Sequence, residues 1–220
     1  PDLFISVLGG KNLLFKNEFG VFKDITDYAG VEEPFYSFPC WIWDVNNDGY
    51  NDIFVASYDS RNLINLATDF LREIEGKNVD SEKSKLFINN GDETFTESSV
   101  DFNIHISMYA MGSNFGDIDN DGWLDFYIGN GSPELTSTIP NRMFRNLDGN
   151  KFEEVTLAGR FGHIQKGHGV GFADLDNDGD QDLYVANDYG RNNLYKNDNG
   201  IFKDIAAKSY TEDSASGMSV

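Results

Sequence analysis

Cysteine and basic residues are scarce in this sequence. Cys40 is the single cysteine among 220 residues, so the chain cannot close an internal disulfide. Lysine and arginine number 17 against 37 aspartates and glutamates, and the formal net charge is −20. A surface of that charge repels nucleic acid and anionic lipid. No run reaches the roughly 18 apolar residues of a membrane span. We therefore expect no disulfide scaffold, no nucleic-acid partner and no membrane insertion.

The acidic residues are concentrated in three short segments that share one frame. Each reads Asp-x-(Asp or Asn)-x-Asp-Gly-x-x-Asp, and the three begin at Asp44, Asp117 and Asp174. An apolar run precedes each segment, and a short strand-like run follows it, at residues 53–56, 126–129 and 183–186. Three copies of one frame in a chain of this length indicate a repeat architecture.

Two more segments complete each repeat. The first is an apolar residue, an aromatic residue, a variable residue and an asparagine, at residues 14–17, 86–89, 143–146 and 194–197. A turn follows, and an aromatic residue then opens a fourth strand, at Phe22, Phe95, Phe152 and Phe202. Four short antiparallel strands per unit is the plan of a propeller blade. The sequence predicts an all-β fold of such blades, with about four repeats in residues 1–220.

Residues 58–85 interrupt the repeat pattern. Apolar residues with helical spacing lie on one face, namely Leu63, Leu66, Ala67, Phe70, Leu71 and Ile74. Asp59 or Ser60 is suited to the start of this helix, and Gly76 to its end. We expect the apolar face to pack on the sheets; a helix that binds a partner is the alternative.

The acidic loops have the composition of a calcium site. The side-chain oxygens at positions 1, 3 and 5 converge on one point, and the glycine at position 6 permits the turn around it. Position 7 offers its backbone carbonyl, and the aspartate at position 9 completes the coordination shell of the ion. Oxygen ligands alone favour a hard cation, and Mg²⁺ sheds its water less readily than Ca²⁺. The predicted ligands are Asp44, Asn46, Asp48, Tyr50 and Asp52; Asp117, Asp119, Asp121, Trp123 and Asp125; and Asp174, Asp176, Asp178, Asp180 and Asp182.

About three Ca²⁺ sites are therefore predicted. The first loop has Asn46 where the others have aspartate, so we expect it to bind most weakly. The loops are not EF-hands, because position 12 is Val55, Ile128 or Val185 instead of glutamate.

These motifs resemble FG-GAP/VCBS repeats, which form the blades of integrin α-subunit propellers. The combination at residues 174–186, 194–197 and 200–205 is most similar to the cartilage acidic protein and ASPIC/UnbV-like group. The resemblance implies calcium ligands in the acidic loops and an extracellular setting, periplasmic in a bacterium. It covers nearly the whole chain outside residues 58–85.

The sequence indicates binding in preference to catalysis. The three histidines, His105, His163 and His168, form no zinc pattern, and no nucleophile or phosphate-binding motif occurs. We expect a recognition or adhesion module for protein or glycan. The alternative is a self-assembling filament or surface-layer protein, because residues 2–6 match 182–186 and residues 216–220 match the run before Asp174. We expect a longer chain to supply further blades; completion by a second copy is the other possibility.

Overall fold

The computed structural model describes residues 1–132, 138–157, 165–214 and 217. Short helices accompany the strands in this part of the chain: α1 (Thr26–Ala29), a 3₁₀ helix (Ser60–Asn65), α2 (Leu66–Ile74) and α3 (Ala206–Ser209). The strands are β1 (Leu3–Ile5), β2 (Leu13–Glu18), β3 (Val21–Asp24), β4 (Ser37–Trp43), β5 (Asp52–Ser57), β6 (Lys85–Asn89), β7 (Phe95–Glu97), β8 (Ala110–Gly116), β9 (Asp125–Asn130), β10 (Arg142–Leu147), β11 (Lys151–Glu154), β12 (Lys166–Ala173), β13 (Asp182–Asp188), β14 (Asn193–Lys196) and β15 (Lys203–Asp204).

The strands form four antiparallel sheets within the described residues. One has the order β1-β2-β3, and the others are β4-β5-β6-β7, β8-β9-β10-β11 and β12-β13-β14-β15. Each strand pairs with the next one in the chain, so every sheet is a meander. The predicted mostly β fold with four-stranded antiparallel units is confirmed. The assignment of residues 1–220 to one propeller segment stays a prediction.

The chain divides into two compact units. Residues 1–62 and 69–109 form the first, which holds β1 to β7, and residues 63–68 and 110–220 belong to the second, which holds β8 to β15. The core of the first includes Leu14, Val31, Ile53, Val55 and Phe87. The core of the second includes Ile118, Tyr127, Met143, Leu183, Val185, Tyr195 and Phe202. The aromatic and branched residues of the predicted strands therefore supply both cores.

Inside the second unit, β8 and β12 approach each other closely at glycines. A Cβ atom on Gly112 would lie 1.6 Å from the carbonyl oxygen of His168. Asn114 Nδ2 also donates to the carbonyl of Val170 at 3.0 Å. The glycines that precede the acidic loops therefore let the first strands of neighbouring sheets meet, and this contact places the second and third acidic loops in one unit.

The insertion is helical, as predicted, but its apolar face is only partly buried. Gly76 ends the helix with a φ of +70°. Leu66 is buried, whereas Leu71 is 60% exposed and Ile74 is 65% exposed. The expectation that the whole face packs on the sheets is therefore wrong for these two residues. No helix among the described residues is long and apolar enough to cross a membrane.

Polar side chains of α2 from Asp69 onward make hydrogen bonds and an ion pair with the rest of the first unit. The buried Asp69 carboxylate accepts a hydrogen bond from Ser81 Oγ at 2.7 Å, and Ser81 Oγ lies 3.0 Å from the hydroxyl of Tyr109. Glu73 accepts from the backbone N–H of Ser107 at 3.1 Å and pairs with Lys83. Removing one partner of such a buried contact leaves the other without its hydrogen bond.

Asp69→Ala should lower the free energy of unfolding by about 1–3 kcal/mol, because Ser81 loses its buried acceptor. Leu71→Ala is the matched control on the same helix and should change stability by less than about 0.5 kcal/mol. Urea unfolding followed by circular dichroism measures both. A loss at Leu71 as large as that at Asp69 would show that the apolar face packs after all.

Candidate metal centre

Each acidic loop connects the first and second strands of its sheet. The closing pairs are Trp43 with Asp52, Gly116 with Asp125, and Ala173 with Asp182. Position 9 of every loop is thus the first residue of the second strand. The strand pairing fixes both ends of the loop, so its eight preceding residues must turn within a short span.

Backbone N–H groups inside each loop bind the carboxylates at positions 1 and 5. In the second loop, Asp117 accepts from the N–H of Asp121 at 3.1 Å and of Gly122 at 2.9 Å. Asp121 accepts from the N–H of Trp123 at 2.9 Å. The first loop repeats these contacts with Asp44 and Asp48, and the third repeats them with Asp174 and Asp178. The three loops therefore share one conformation.

That conformation needs two residues with positive φ. The glycines at position 6 have φ between +90° and +97°, as the sequence predicted. The asparagines at position 4, Asn47, Asn120 and Asn177, have φ between +53° and +62°. Asparagine is among the few residues that adopt this region readily. This role of the position 4 asparagines was not predicted, although their recurrence is visible in the sequence.

Positions 1, 3 and 5 come together in the second and third loops. Carboxylate oxygens of Asp117, Asp119 and Asp121 lie within 4.8 Å of one another, and so do those of Asp174, Asp176 and Asp178. The first loop has the same arrangement with an amide at position 3. There, Asn46 Nδ2 donates to the Asp48 carboxylate at 3.0 Å.

One carboxylate oxygen in the second loop is buried without a hydrogen-bond donor among the described residues. It is Oδ1 of Asp119. Burial raises the pKa of Asp119, and the nearby charge of Asp121 raises it further. A buried acceptor that faces other carboxylates fits a bound cation, which would satisfy the oxygen and offset the repulsion.

Basic side chains from the third strand reach two of the loops. Lys196 Nζ contacts the Asp176 carboxylate and lies 3.3 Å from Asp178 Oδ2. Arg145 Nη1 lies 3.4 Å from Asp119 Oδ2, and its Nη2 lies 3.1 Å from Glu153. Neither residue was among the predicted site residues, because each is distant in sequence from the loop that it contacts.

The aspartate at position 9 makes a different contact. Asp52 is fully buried and accepts from the N–H of Val45 at 2.9 Å and from the N–H of Asn89 at 2.8 Å. Asp125 accepts in the same way from Ile118 and Asn146, and Asp182 from Leu175 and Asn197. This carboxylate therefore ties the start of the loop to the third strand of the sheet. Its predicted part in the ion's shell stays a prediction.

The asparagine of the third strand completes this tie. Asn89 Oδ1 accepts from the N–H of Gly91 in the following turn at 2.9 Å, and its Nδ2 donates to the carbonyl of Asn51 at 2.9 Å. Asn146 and Asn197 make the equivalent contacts. Asn17 does the same in the first sheet, where its N–H donates to Asp2 at 2.9 Å. The recurring asparagine was visible in the sequence, but its pairing with position 9 was not.

Burial disfavours the charged form of the position 9 aspartate in the first and second loops. It raises the pKa of Asp125 to about 8, while the N–H groups of Ile118 and Asn146 oppose the rise and the charges of Asp119 and Asp121 add to it. Burial likewise raises the pKa of Asp52. A positive charge in the loop would favour the ionised form.

Position 7 differs among the loops. Tyr50 is exposed and Trp123 is half-buried. The buried Asp180 accepts from Asn120 Nδ2 at 2.8 Å and from the N–H of Asn199 at 2.6 Å. Asp180 therefore links the third loop to the second within one unit. The predicted role of the position 7 carbonyls stays a prediction.

The histidines stand apart from these loops. Burial lowers the pKa of both His105 and His168. His168 Nε2 lies 3.9 Å from Asp188. His163 and most of the 216–220 segment lie outside the described residues.

Recurrent meander sheets with an acidic loop between their first two strands define a class of β-repeat protein. The model of the FG-GAP-like repeat family matches residues 44–128, 129–185 and 174–220. The chain belongs to this family. No curated protein matches it. The match begins at Asp44, yet the contact of Asn17 with Asp2 extends the same tie to the first sheet.

Asp52→Asn should lower the free energy of unfolding by about 1–3 kcal/mol even in excess chelator, because an amide would turn a donor toward one of two buried N–H groups. Asp48→Asn is the matched control in the same loop, and its exposed side chain should matter little once metal is removed. Denaturant unfolding in EDTA separates the two roles. Equal losses would contradict a structural tie at position 9.

Proposed function

We propose that this chain is a calcium-stabilised, extracellular β-propeller module that recognises protein or glycan. The observation that carries the calcium proposal is the pair of aspartate triads, together with the buried Oδ1 of Asp119, which has no hydrogen-bond donor in the described part of the chain. Every side chain in these clusters offers oxygen. That donor set suits Ca²⁺ and gives soft metals no ligand.

Positions 1, 3 and 5 are the residues that would hold the ion. In the second loop these are Asp117, Asp119 and Asp121, and in the third Asp174, Asp176 and Asp178. Asp44, Asn46 and Asp48 would do so in the first. A bound Ca²⁺ supplies positive charge that offsets carboxylate repulsion. The ion would thus stabilise the hairpin that each loop closes, and binding would contribute to folding.

The extracellular recognition role rests on the resemblance and on charge. Integrin α-subunit propellers and the cartilage acidic protein group share these motifs, and weak oxygen-based sites suit the millimolar calcium outside cells. The net charge of −20 favours cationic or neutral partners. We propose binding without catalysis, because the motif residues are already used by the repeat frame.

Calorimetric titration with Ca²⁺ should give about three sites and a higher melting temperature. A ligand present at 100 times its Kd stabilises the fold by about 2.7 kcal/mol per site. Asp121→Ala should remove one site, because the second loop loses the ligand at position 5.

Asp148→Asn is the control for this titration. It removes one negative charge from the hairpin turn of the same sheet, at an exposed position with a φ of +54° that asparagine tolerates. Its stoichiometry should match the wild type. A wild-type melting temperature that chelator leaves unchanged would contradict calcium-coupled folding.

A second candidate function is self-assembly, and an exposed apolar face on the first sheet favours it. Phe22 is 51% exposed, and its neighbour Val21 is 70% exposed. The equivalent Phe202 is buried in a core with Ile118 and Met143 of the adjacent sheet. A sheet from a second copy could cover Phe22 as those residues cover Phe202, and repetition of such a contact builds filaments.

Sedimentation velocity should distinguish assembly from a monomeric recognition module. If copies assemble through the first sheet, Phe22→Ser should return the particles to monomer size. Tyr28→Ser removes an exposed aromatic side chain from α1 and serves as the control. Monodisperse monomers in wild type, at all concentrations and with or without calcium, would exclude self-assembly.

A further inference from the structure

The residue before each third-strand asparagine varies together with position 3 of the acidic loop. Where position 3 is Asp119 or Asp176, this residue is Arg145 or Lys196. Where position 3 is Asn46, it is Ile88. The structure explains the pairing, because both basic side chains contact the position 3 carboxylate of their own sheet.

We propose that Lys196 and Arg145 are internal counter-cations that set the calcium affinity of the third and second loops. This inference rests on the proposed calcium function. In the absence of metal, each basic group partly neutralises the triad. Because Ca²⁺ binds the same carboxylate oxygens, the positively charged side chain must move away when the ion binds. The calcium affinity of the loop is lower as a result.

The two counter-cations differ in how firmly they hold the triad. The ammonium of Lys196 contacts two triad carboxylates, those of Asp176 and Asp178. Arg145 contacts Asp119 alone and has Glu153 as a second partner. The guanidinium can therefore keep an acidic partner when it leaves the loop. We expect Lys196 to oppose calcium more strongly than Arg145.

The same contacts change the expected order of calcium affinity among the three loops. Sequence alone predicts that the first loop is the weakest, because Asn46 removes one negative charge. The first loop also lacks a basic partner at Ile88, so its net charge with that partner counted equals that of the second loop. Its affinity should then be similar to that of the second loop.

Lys196→Met tests the proposal in a background with Asp48→Asn and Asp121→Asn, where the third loop is left with its full ligand set. Titration calorimetry with CaCl₂ should show affinity about tenfold tighter than with Lys196 present. Arg145→Met, tested with the third loop disabled by Asp178→Asn, should give a smaller gain. Ile88→Lys should weaken the first loop.

Lys203→Met is the matched control. Lys203 on β15 lies opposite Lys196 on β14, and its side chain is exposed. The substitution therefore removes the same charge from the same sheet, at a residue for which no contact with the acidic loop is described. Its calcium affinity should stay within about twofold of the parent.

A second measurement needs only single variants. In EDTA, Lys196→Met should melt about 1–4 °C below wild type, because the triad has lost its counter-charge. In saturating calcium, the rise in melting temperature should exceed that of wild type and of Lys203→Met. A purely structural lysine would instead lower the melting temperature equally in both conditions.

The outcomes separate this inference from the calcium proposal. Calcium binding with an affinity unchanged by Lys196→Met would overturn the counter-cation role alone. If neither wild type nor any variant binds calcium, the proposed function fails and the inference fails with it.

Discussion

The carboxylate at position 9 is the contact on which each sheet depends. Asp52, Asp125 and Asp182 are buried, and each accepts one N–H from the start of its loop and one from the third strand. The contact joins the second strand, the third strand and the start of the acidic loop at one point. It fixes the start of the loop against the sheet, and the other loop carboxylates lie close together in the second and third loops.

Negative charge held at such a fixed point must be neutralised locally. The structure uses backbone N–H groups at positions 1 and 5, an amide in the first loop, and basic side chains in the second and third. Among the described residues, Oδ1 of Asp119 is nevertheless buried without a hydrogen-bond donor. Under the proposed function, a bound Ca²⁺ would neutralise the carboxylate charge that these N–H groups and basic side chains leave unbalanced.

Local pattern predicted most of the fold, because each strand, turn and loop repeats in a short window. The meander sheets, the helix near residue 66 and the glycines at position 6 follow from that pattern. Contacts between residues that are distant in the sequence could not be predicted from this local pattern. The pairing of Asn89 with Asp52 joins residues 37 apart, and Lys196 lies 20 residues from Asp176, so no window of the sequence shows them together.

The helix of the insertion was predicted correctly, but the predicted packing of its apolar face was wrong at Leu71 and Ile74 for a related reason. Periodicity identifies a helix and its apolar face, but it does not show which face of the helix finds contact partners in the surrounding structure. Here Ser81, Ser107 and Lys83 offer polar partners, so Asp69 and Glu73 turn inward while Leu71 and Ile74 face solvent. Hydrogen bonds and ion pairs of two inward-facing carboxylates can offset the exposure of two aliphatic side chains.

Comparison among the repeats supplies what a single window cannot. A feature kept in every repeat, such as the third-strand asparagine, marks the geometry that all sheets need. A feature that changes in step with another points to positions that are in contact: Ile88 accompanies Asn46, whereas Arg145 and Lys196 contact Asp119 and Asp176. The three acidic loops thus balance their negative charge in three different ways, and the differences indicate which side chains adjust each loop.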